Sequence, residues 1–367
     1  MSAERKIFVL CLLVQQFLLL RGAKILTVSF VGGSHYMLMD KISRILQSNG
    51  HEVKMFSHFV DLSSDVKNQD VPYSHIVGKT EEKYVQETLR SFRGNITEFF
   101  SGRDSLHFNF AIVDQMSHQC KMIFNQSSII NSLKVEAFDI AVIDASNPCT
   151  FLLMEKIGKP FIAFFPTYSV NAGQVGIPSP LSYVPFLGTR LTDQMDFFQR
   201  VKNVLVYLLF HMAVNEKISS MFNDVIEENF PEGSKPSLSE LYKKAELWIY
   251  NSDFAIDFPH PLLPHVIYAG GLLSEAPMHV SPELEDFISE SGQAGFIIVC
   301  FGSMIPSYPV IEMNEGLAKL SQKVIWRYKQ SDWPKEVKLA PNVKLMDWIP
   351  QNDLLGENLH FIYYYVI

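Results

Sequence analysis

The sequence has few cysteines for its length, four in 367 residues. Three of them, Cys120, Cys149 and Cys300, lie beyond the N-terminal segment and are widely scattered. Their number excludes a disulfide-rich scaffold, and their spacing lacks the close pairs that hold a structural zinc ion. We therefore expect no metal site and favour buried free thiols, with a single Cys120–Cys149 bridge as the alternative.

The chain is also short of basic residues. Its 31 lysines and arginines against 39 aspartates and glutamates leave a formal net charge of −8. Nucleic-acid binding requires a basic face that neutralises phosphates, so we exclude a nucleic-acid partner. The hydrophobic content of 47% is typical of a globular protein, and a length of 367 residues corresponds to about two domains.

Beyond the N-terminus, no apolar run reaches the ~20 residues that a membrane-spanning helix requires. The N-terminus itself has Arg5 and Lys6 before the apolar run IFVLCLLVQQFLLL, and the small residues Gly22 and Ala23 after it. This order is typical of a secretory signal peptide over residues 1–22, with an uncleaved anchor as the alternative.

Two sequons accompany this predicted signal peptide. They are Asn95-Ile-Thr and Asn125-Gln-Ser, which make Asn95 and Asn125 candidate glycosylation sites. Together these features predict that the chain enters the lumen of the endoplasmic reticulum.

A strand–helix–strand pattern opens the body of the chain. The β-rich run at residues 24–31 leads through two glycines into a helical pattern that ends at Gly50, and residues 52–57 form a second strand. Such a unit predicts a parallel α/β sheet. No G-x-G-x-x-G motif follows the first strand, which disfavours a nicotinamide-dependent enzyme.

The alternation continues through two predicted domains, 23–280 and 281–367. In the first we expect mainly helix at 79–135 and 193–230, and strands at 138–145, 160–166, 245–252 and 265–271. In the second we expect a helix at 311–322 and strands at 295–303, 323–328, 342–348 and 359–366. The last of these would be an unpaired, uncharged aromatic edge strand that favours association.

Two polar side chains follow strands of the first predicted sheet. His35 comes just after the first strand, where a histidine with a near-neutral pKa can act as a general base. Asp144 ends a later strand and could hold that imidazole in one tautomer. The alternatives are a helix-capping histidine and an aspartate that caps a loop.

Three residues of the second predicted domain could contact a nucleotide. Ser303 ends the turn VCFGS, whose backbone N–H groups could face a phosphate. Trp348 offers a flat stacking surface, and Gln351 offers an amide that both donates and accepts hydrogen bonds. Each residue alone is weak evidence, since tryptophan is also a common core residue.

These residues belong to a longer series of matching segments. The chain contains, in this order, GGSHY, IDASNPC, PSPLSYVP, FPEGSKPSLSELYKKAELWIYNSDFAIDF, YAGGL, FGSM, VIWRY and DWIPQNDLLG. Over about residues 23–356 it resembles the vertebrate UDP-glucuronosyltransferase family, and most of all its third subfamily.

The resemblance implies a GT-B fold, in which two Rossmann-like domains face each other and bind a lipophilic acceptor and a UDP-sugar. It implies inverting sugar transfer, with His35 as the base and Asp144 supporting it. Trp348 and Gln351 would hold the uridine, and Ser303 would contact the diphosphate. The UDP-sugar is a co-substrate, so no cofactor is expected.

The resemblance ends near Gly356. Family members continue with a His-Gly-Gly signature, an Asp-Gln pair and a membrane anchor, whereas here ENLHFIYYYVI follows. We therefore expect the second domain to be incomplete and the chain alone to be inactive. The alternative function is a non-catalytic isoform that binds acceptor, or forms oligomers with full-length relatives and modulates them.

Overall fold

The computed structural model describes most of the chain in two compact units. The described residues are 22–58, 71–88, 90–91, 105–167, 176–259, 261–302, 309–356 and 362–365. The first unit comprises Met1–Arg90 and Asn109–Leu273, and the second comprises Ser91–Phe108 and Ser274–Ile367. The predicted signal peptide lies outside the described residues, except for Gly22, and the domain boundary after residue 280 stays a prediction.

The first unit is built on a seven-stranded, wholly parallel sheet. Its strands run in the spatial order β3-β2-β1-β4-β5-β6-β7. In chain order they are β1 (Lys24–Ser29), β2 (Glu52–Ser57), β3 (Ser74–Val77), β4 (Ile140–Asp144), β5 (Phe161–Phe165), β6 (Leu247–Tyr250) and β7 (Val266–Tyr268). The chain reverses its direction of travel across the sheet between β3 and β4, so β1 and β4 are neighbours at the switch point.

Helices connect these strands. They are α1 (Ser34–Ser48), α2 (Ser105–Phe124), α3 (Ser127–Val135), α4 (Pro148–Ile157), α5 (Phe197–Leu209), α6 (Asn215–Met221), α7 (Asn223–Asn229) and α8 (Leu238–Tyr242). A π-helical turn, Phe210–Val214, joins α5 to α6. The helical stretch predicted at 193–230 is thus confirmed, but it consists of consecutive pieces.

Alternating side chains of the central strands enter two cores. Leu26 and Val28 of β1 belong to one hydrophobic cluster, whereas Ile25 packs into another with Val53 and Met55 of β2. A parallel sheet covered on both faces accounts for the near-continuous apolar runs of these strands.

A disulfide joins α2 to α4, which corrects the expectation of free thiols. Cys120 and Cys149 are both fully buried and form a bridge, with their Cα atoms 5.5 Å apart. That separation lies within the range a disulfide spans. Sequence alone could not show it, because the packing of two helices brings together residues 29 positions apart. Cys300 carries a free thiol.

The second unit has a smaller parallel sheet in the order β10-β9-β8-β11. Its strands are β8 (Phe296–Val299), β9 (Lys323–Arg327), β10 (Val343–Met346) and β11 (Ile362–Tyr365), and its helices are α9 (Pro282–Ser289), α10 (Val310–Leu317) and α11 (Gln351–Gly356). Ile325 of β9 packs into one cluster and its neighbours Val324 and Trp326 into another, so this sheet too is covered on both faces.

The last strand corrects a second expectation. The aromatic segment was predicted to form an unpaired strand, but β11 pairs in parallel with β8, Ile362 opposite Phe296 and Tyr365 opposite Val299. The backbone of β11 is therefore hydrogen-bonded to β8 on one side. Its other side forms an edge of the described sheet.

Candidate active site

His35 is positioned by the turn between β1 and α1. Gly33 has φ 62° and ψ −132°, a conformation that L-residues rarely adopt, and it precedes the first residue of α1. The sharp turn places His35 in the first turn of the helix, beside the carboxyl end of β1. Its side chain is 26% exposed, so the imidazole reaches solvent from a partly buried position.

Asp144 is the last residue of β4, the neighbour of β1 in the sheet. Its side chain is fully buried. One carboxylate oxygen, Oδ1, accepts a hydrogen bond from the backbone N–H of Ser146 at 3.0 Å. The backbone carbonyl of Asp144 accepts another from the Thr150 hydroxyl at 3.0 Å, which ties the strand end to α4.

The two predicted residues meet, although they lie 109 positions apart. His35 Nδ1 is 2.9 Å from Asp144 Oδ2, a hydrogen-bond distance. An ionised carboxylate can only accept, so the neutral imidazole carries its proton on Nδ1 and presents the lone pair of Nε2. Nε2 has no hydrogen-bond partner within the described part of the chain. The pair therefore has the geometry of an oriented general base.

A buried polar network lies behind this pair, and the sequence analysis did not find it. Asn147 caps α4 by accepting from the N–H of Cys149, and its amide nitrogen donates to Gln119 Oε1 at 2.9 Å. Gln119 in turn donates to the backbone carbonyls of Phe30 and His58. The sequence offered one signal for this network: an asparagine directly before Pro148, since asparagine favours the N-cap position and proline the first residue of a helix.

The network connects the loop after β4 to the ends of β1 and β2. His58 is fully buried there, and Nε2 donates to the carbonyl of Lys79 at 3.0 Å. Burial lowers the pKa of His58, because the charged imidazolium loses its hydration. The neutral form of His58 is thus part of the folded structure.

The nucleotide candidates of the second unit are only partly described. Trp348 lies between β10 and α11 and is 64% exposed, so it is a surface side chain and not a core tryptophan. Gln351 is the first residue of α11, and its backbone N–H donates to the carbonyl of Ile349. Both lie just past the carboxyl end of β10. Ser303 lies outside the described residues.

Of the two candidate glycosylation sites, only one lies within the described residues. Asn125 is exposed in the turn between α2 and α3, and Asn95 lies outside the described residues. Within the described ranges, the structure contains no helix that is both long and apolar enough to cross a bilayer.

Comparison with known proteins gives the family. Residues 23–360 match the family described as "UDP-glucoronosyl and UDP-glucosyl transferase". The chain belongs to this family. It is 54% identical over 362 residues to UDP-glucuronosyltransferase 3A1 of Xenopus laevis, and 43% identical over 362 residues to UDP-glucuronosyltransferase 3A2 of Homo sapiens. Each alignment covers 97% of this chain and 69% of the relative.

These relatives place this UDP-glycosyltransferase in the third subfamily, as the motifs indicated. Among solved structures, a UDP-glucosyltransferase from Polygonum tinctorium aligns with a TM-score of 0.55 at 15% identity, covering 94% of this chain and 75% of that one. Such a likeness concerns the fold alone, and it confirms the predicted GT-B fold class.

Proposed function

We propose that this chain carries the catalytic residues for the transfer of a sugar from a UDP-sugar to the hydroxyl group of a small lipophilic acceptor, with inversion at the anomeric carbon. The observation that carries the proposal is the 2.9 Å contact between His35 and the buried Asp144 at the switch point of the first sheet. Ligands of open α/β sheets bind at this edge, beyond the carboxyl ends of the strands.

His35 Nε2 takes the proton of the acceptor hydroxyl as its oxygen attacks the anomeric carbon. The bond between that carbon and the UDP oxygen breaks from the opposite face, and its electron pair leaves with UDP. The imidazole becomes an imidazolium at this step, and the carboxylate of Asp144 stabilises the new positive charge. The hydrogen bond from Ser146 N–H keeps that carboxylate in place throughout.

We assign the binding of the UDP-sugar to the second unit. Trp348 would stack on the uracil, Gln351 would bind the ribose, and Ser303 would contact the diphosphate. The exposed indole at the end of β10 supports this assignment, because it leaves an aromatic face open to a base. The UDP-sugar is a co-substrate, and the proposed reaction requires no further cofactor.

A transfer assay with several UDP-sugars and a phenolic acceptor tests this function, with the glycoside detected by mass spectrometry. The assay is run on the 367-residue chain, and in parallel on a chimera that continues with the C-terminal part of the Xenopus relative. In the chimera, His35→Ala should lower transfer by about 10²–10⁴-fold, the usual contribution of a general base.

His118→Ala is the matched control, since His118 is an exposed histidine of the same unit. Equal transfer by the chimera with and without His35→Ala would reject His35 as the base. Transfer by the chimera but not by the 367-residue chain would favour the competing hypothesis of a non-catalytic isoform.

The Cys120–Cys149 disulfide supports a location in the lumen of the endoplasmic reticulum, because disulfides persist in oxidising compartments. The side chain of Asn125 is exposed, as glycosylation in that compartment requires. Endoglycosidase treatment of the expressed chain should increase its gel mobility, and Asn125→Gln should reduce that change. A cytosolic chain without any shift would contradict the location.

A further inference from the structure

The side chain of Gln119 connects the segments that follow three neighbouring strands. It projects from α2 and is 4% exposed. Its amide nitrogen donates to the carbonyl of Phe30, just after β1, at 2.8 Å, and to that of His58, just after β2, at 2.7 Å. Its amide oxygen accepts from the Asn147 amide, which follows β4, at 2.9 Å. One buried side chain thus bridges the carboxyl ends of β1, β2 and β4.

The partners of this amide determine its orientation. Both partners of the Gln119 nitrogen are carbonyl oxygens, which only accept hydrogen bonds, so the amide oxygen cannot take its place. The Asn147 amide is fixed as well, because its oxygen accepts from the N–H of Cys149 at 3.0 Å. Its nitrogen therefore faces Gln119. The two amides form a link that satisfies its hydrogen bonds in one arrangement.

The segments that this link joins are the two that carry the candidate active-site pair. Phe30 begins the turn that leads from β1 to His35. Asn147 ends the turn that follows Asp144, and between them the N–H of Ser146 donates to the Asp144 carboxylate at 3.0 Å. A displacement of either turn would change the 2.9 Å distance between His35 Nδ1 and Asp144 Oδ2.

The neighbouring disulfide has a different reach. Cys120 follows Gln119 on α2, and its bridge to Cys149 ties α2 to the start of α4. This bridge stabilises the packing of the two helices, but it does not connect to the turn that begins at Phe30. The Gln119 amide bonds to both turns, so it can set their separation.

We propose that Gln119 is a positioning residue that holds the turn before His35 and the turn after Asp144 at the separation that the hydrogen bond of the pair requires. It acts through the backbone of the two turns. The inference rests on the proposed role of His35 as the general base. A base is effective only in the correct geometry, and a displacement of about 1 Å can cost about 10²-fold in rate.

Nitrogen-15 NMR of the histidine side chains tests the inference in the 367-residue chain without any turnover. Gln119→Met removes the amide and keeps an unbranched side chain of similar length. We expect the Nδ1 proton of His35 to exchange with water several-fold faster in this variant, and the proton to be shared between Nδ1 and Nε2. The His35 signals are assigned by their absence in His35→Ala.

Asn147→Ser is a milder second variant that decides the question if Gln119→Met does not fold. Serine is also a favoured N-cap residue, so α4 keeps its cap, whereas the shorter side chain no longer reaches Gln119. The hydrogen bonds from Gln119 to the ends of β1 and β2 remain. We expect the same changes in the His35 signals, but smaller ones.

Asn203→Ser is the matched control. Asn203 is another fully buried amide of the first unit, and it likewise bonds to the backbone of a loop, accepting from the N–H of Phe186 and donating to the carbonyl of Leu181. Its loss removes a comparable buried link that joins neither turn of the pair. The His35 signals should not change in this variant.

Kinetics of the chimera give an independent readout. Gln119→Met should lower kcat by up to about 10²-fold with little change in the KM for the acceptor, because the position of the base matters in the transition state. In a His35→Ala background the same substitution should lower kcat no further, since Gln119 acts through His35. A chimera without any transfer would reject the proposed function, and the NMR measurement would still decide this inference.

Three outcomes would overturn the inference. One is an unchanged tautomer and exchange rate of His35 in both Gln119→Met and Asn147→Ser. Another is an equal change in Asn203→Ser, which would assign the effect to a general loss of stability. The third is a full further loss of kcat when Gln119→Met is added to His35→Ala.

Discussion

The carboxyl edges of the two sheets differ in how their candidate site residues are buried and hydrogen-bonded. At the edge of the first sheet, His35 and Asp144 are joined by a hydrogen bond, and the carboxylate is fully buried. At the edge of the second sheet, Trp348 is 64% exposed. The same α/β architecture thus carries a hydrogen-bonded histidine–aspartate pair in one unit and an open aromatic surface in the other.

The roles proposed for the two edges account for this difference. A general base must hold one tautomer before the substrate arrives, so its partner is buried and supported by backbone hydrogen bonds. A stacking surface needs only to be accessible, because its contact energy comes from the base it meets. Preassembly in the first unit and exposure in the second fit these two tasks.

The largest effect on this comparison should come from Asp144→Asn. If the amide oxygen keeps the hydrogen bond from Ser146 N–H, the amide nitrogen faces His35 Nδ1 and donates to it. The proton of the neutral imidazole then moves to Nε2, which can no longer accept one. We expect transfer to fall by about 10²–10⁴-fold.

The tautomer can be measured without any turnover. Nitrogen-15 NMR of the histidine side chains should place the proton of His35 on Nδ1 in the unmodified protein and on Nε2 in Asp144→Asn. His118→Asn leaves the pair intact and is the control. The same tautomer in both proteins would remove the argument for an orienting carboxylate.

Removal of the disulfide should have the next largest effect. The first unit is cross-linked by the Cys120–Cys149 disulfide, whereas the second unit contains the free thiol of Cys300. Replacing Cys120 and Cys149 by alanine should lower the free energy of unfolding by about 2–4 kcal/mol. Urea unfolding under non-reducing conditions measures this change.

Cys300→Ala is the control for this prediction, since Cys300 makes no disulfide. It should leave the unfolding midpoint of the first unit unchanged. A double variant as stable as the unmodified chain would show that the bridge does not constrain the first unit.

Trp348→Ala should have a smaller effect, confined to the second edge. Loss of base stacking weakens nucleotide binding by about 1–3 kcal/mol. Calorimetric titration with UDP measures the affinity, and Trp348→Phe should retain most of it because a ring remains. Unchanged affinity in Trp348→Ala would remove this residue from the proposed donor site.

Much of the fold could be predicted from the apolar runs. All the predicted strands are present, with each end within four residues of its predicted position, because buried parallel strands have continuous apolar sequences. The sequence did not reveal β3, whose segment Ser74–Val77 is only partly buried. It also did not reveal α9, which begins at Pro282 within a proline-rich stretch taken for a domain boundary.

The contact between the two candidate residues of the first unit could be predicted only in part. Position after a strand was enough to select His35 and Asp144, and only the packing of β1 beside β4 could bring them together. Of the network of Gln119, Asn147 and His58, only the Asn147 cap had a signal in the sequence, because Gln119 lies within a helical segment where it resembles any polar surface residue. Tertiary packing alone buries it.

The smallest expected effect concerns the pH dependence of stability. The polar network at the edge of the first sheet contains a buried neutral histidine, His58. Burial lowers the pKa of His58, so the folded state binds fewer protons than the unfolded state below the unfolded value near 6.5. Stability is therefore complete above about pH 6.5 and decreases as the pH falls from there toward the lowered folded pKa. His75 and His211 also have lowered pKa values and add to the same slope. We expect His58→Gln to lower the free energy of unfolding at every pH. The variant should also lose less of that free energy than the unmodified protein when the pH falls from 7.5 to 5.5. The difference in slope reaches at most about 1.4 kcal/mol per pH unit, in the range where His58 is protonated only in the unfolded state. Urea unfolding at both values measures the slope, with His118→Gln as the exposed control, and an unchanged slope in His58→Gln would show that this histidine takes up no proton on unfolding.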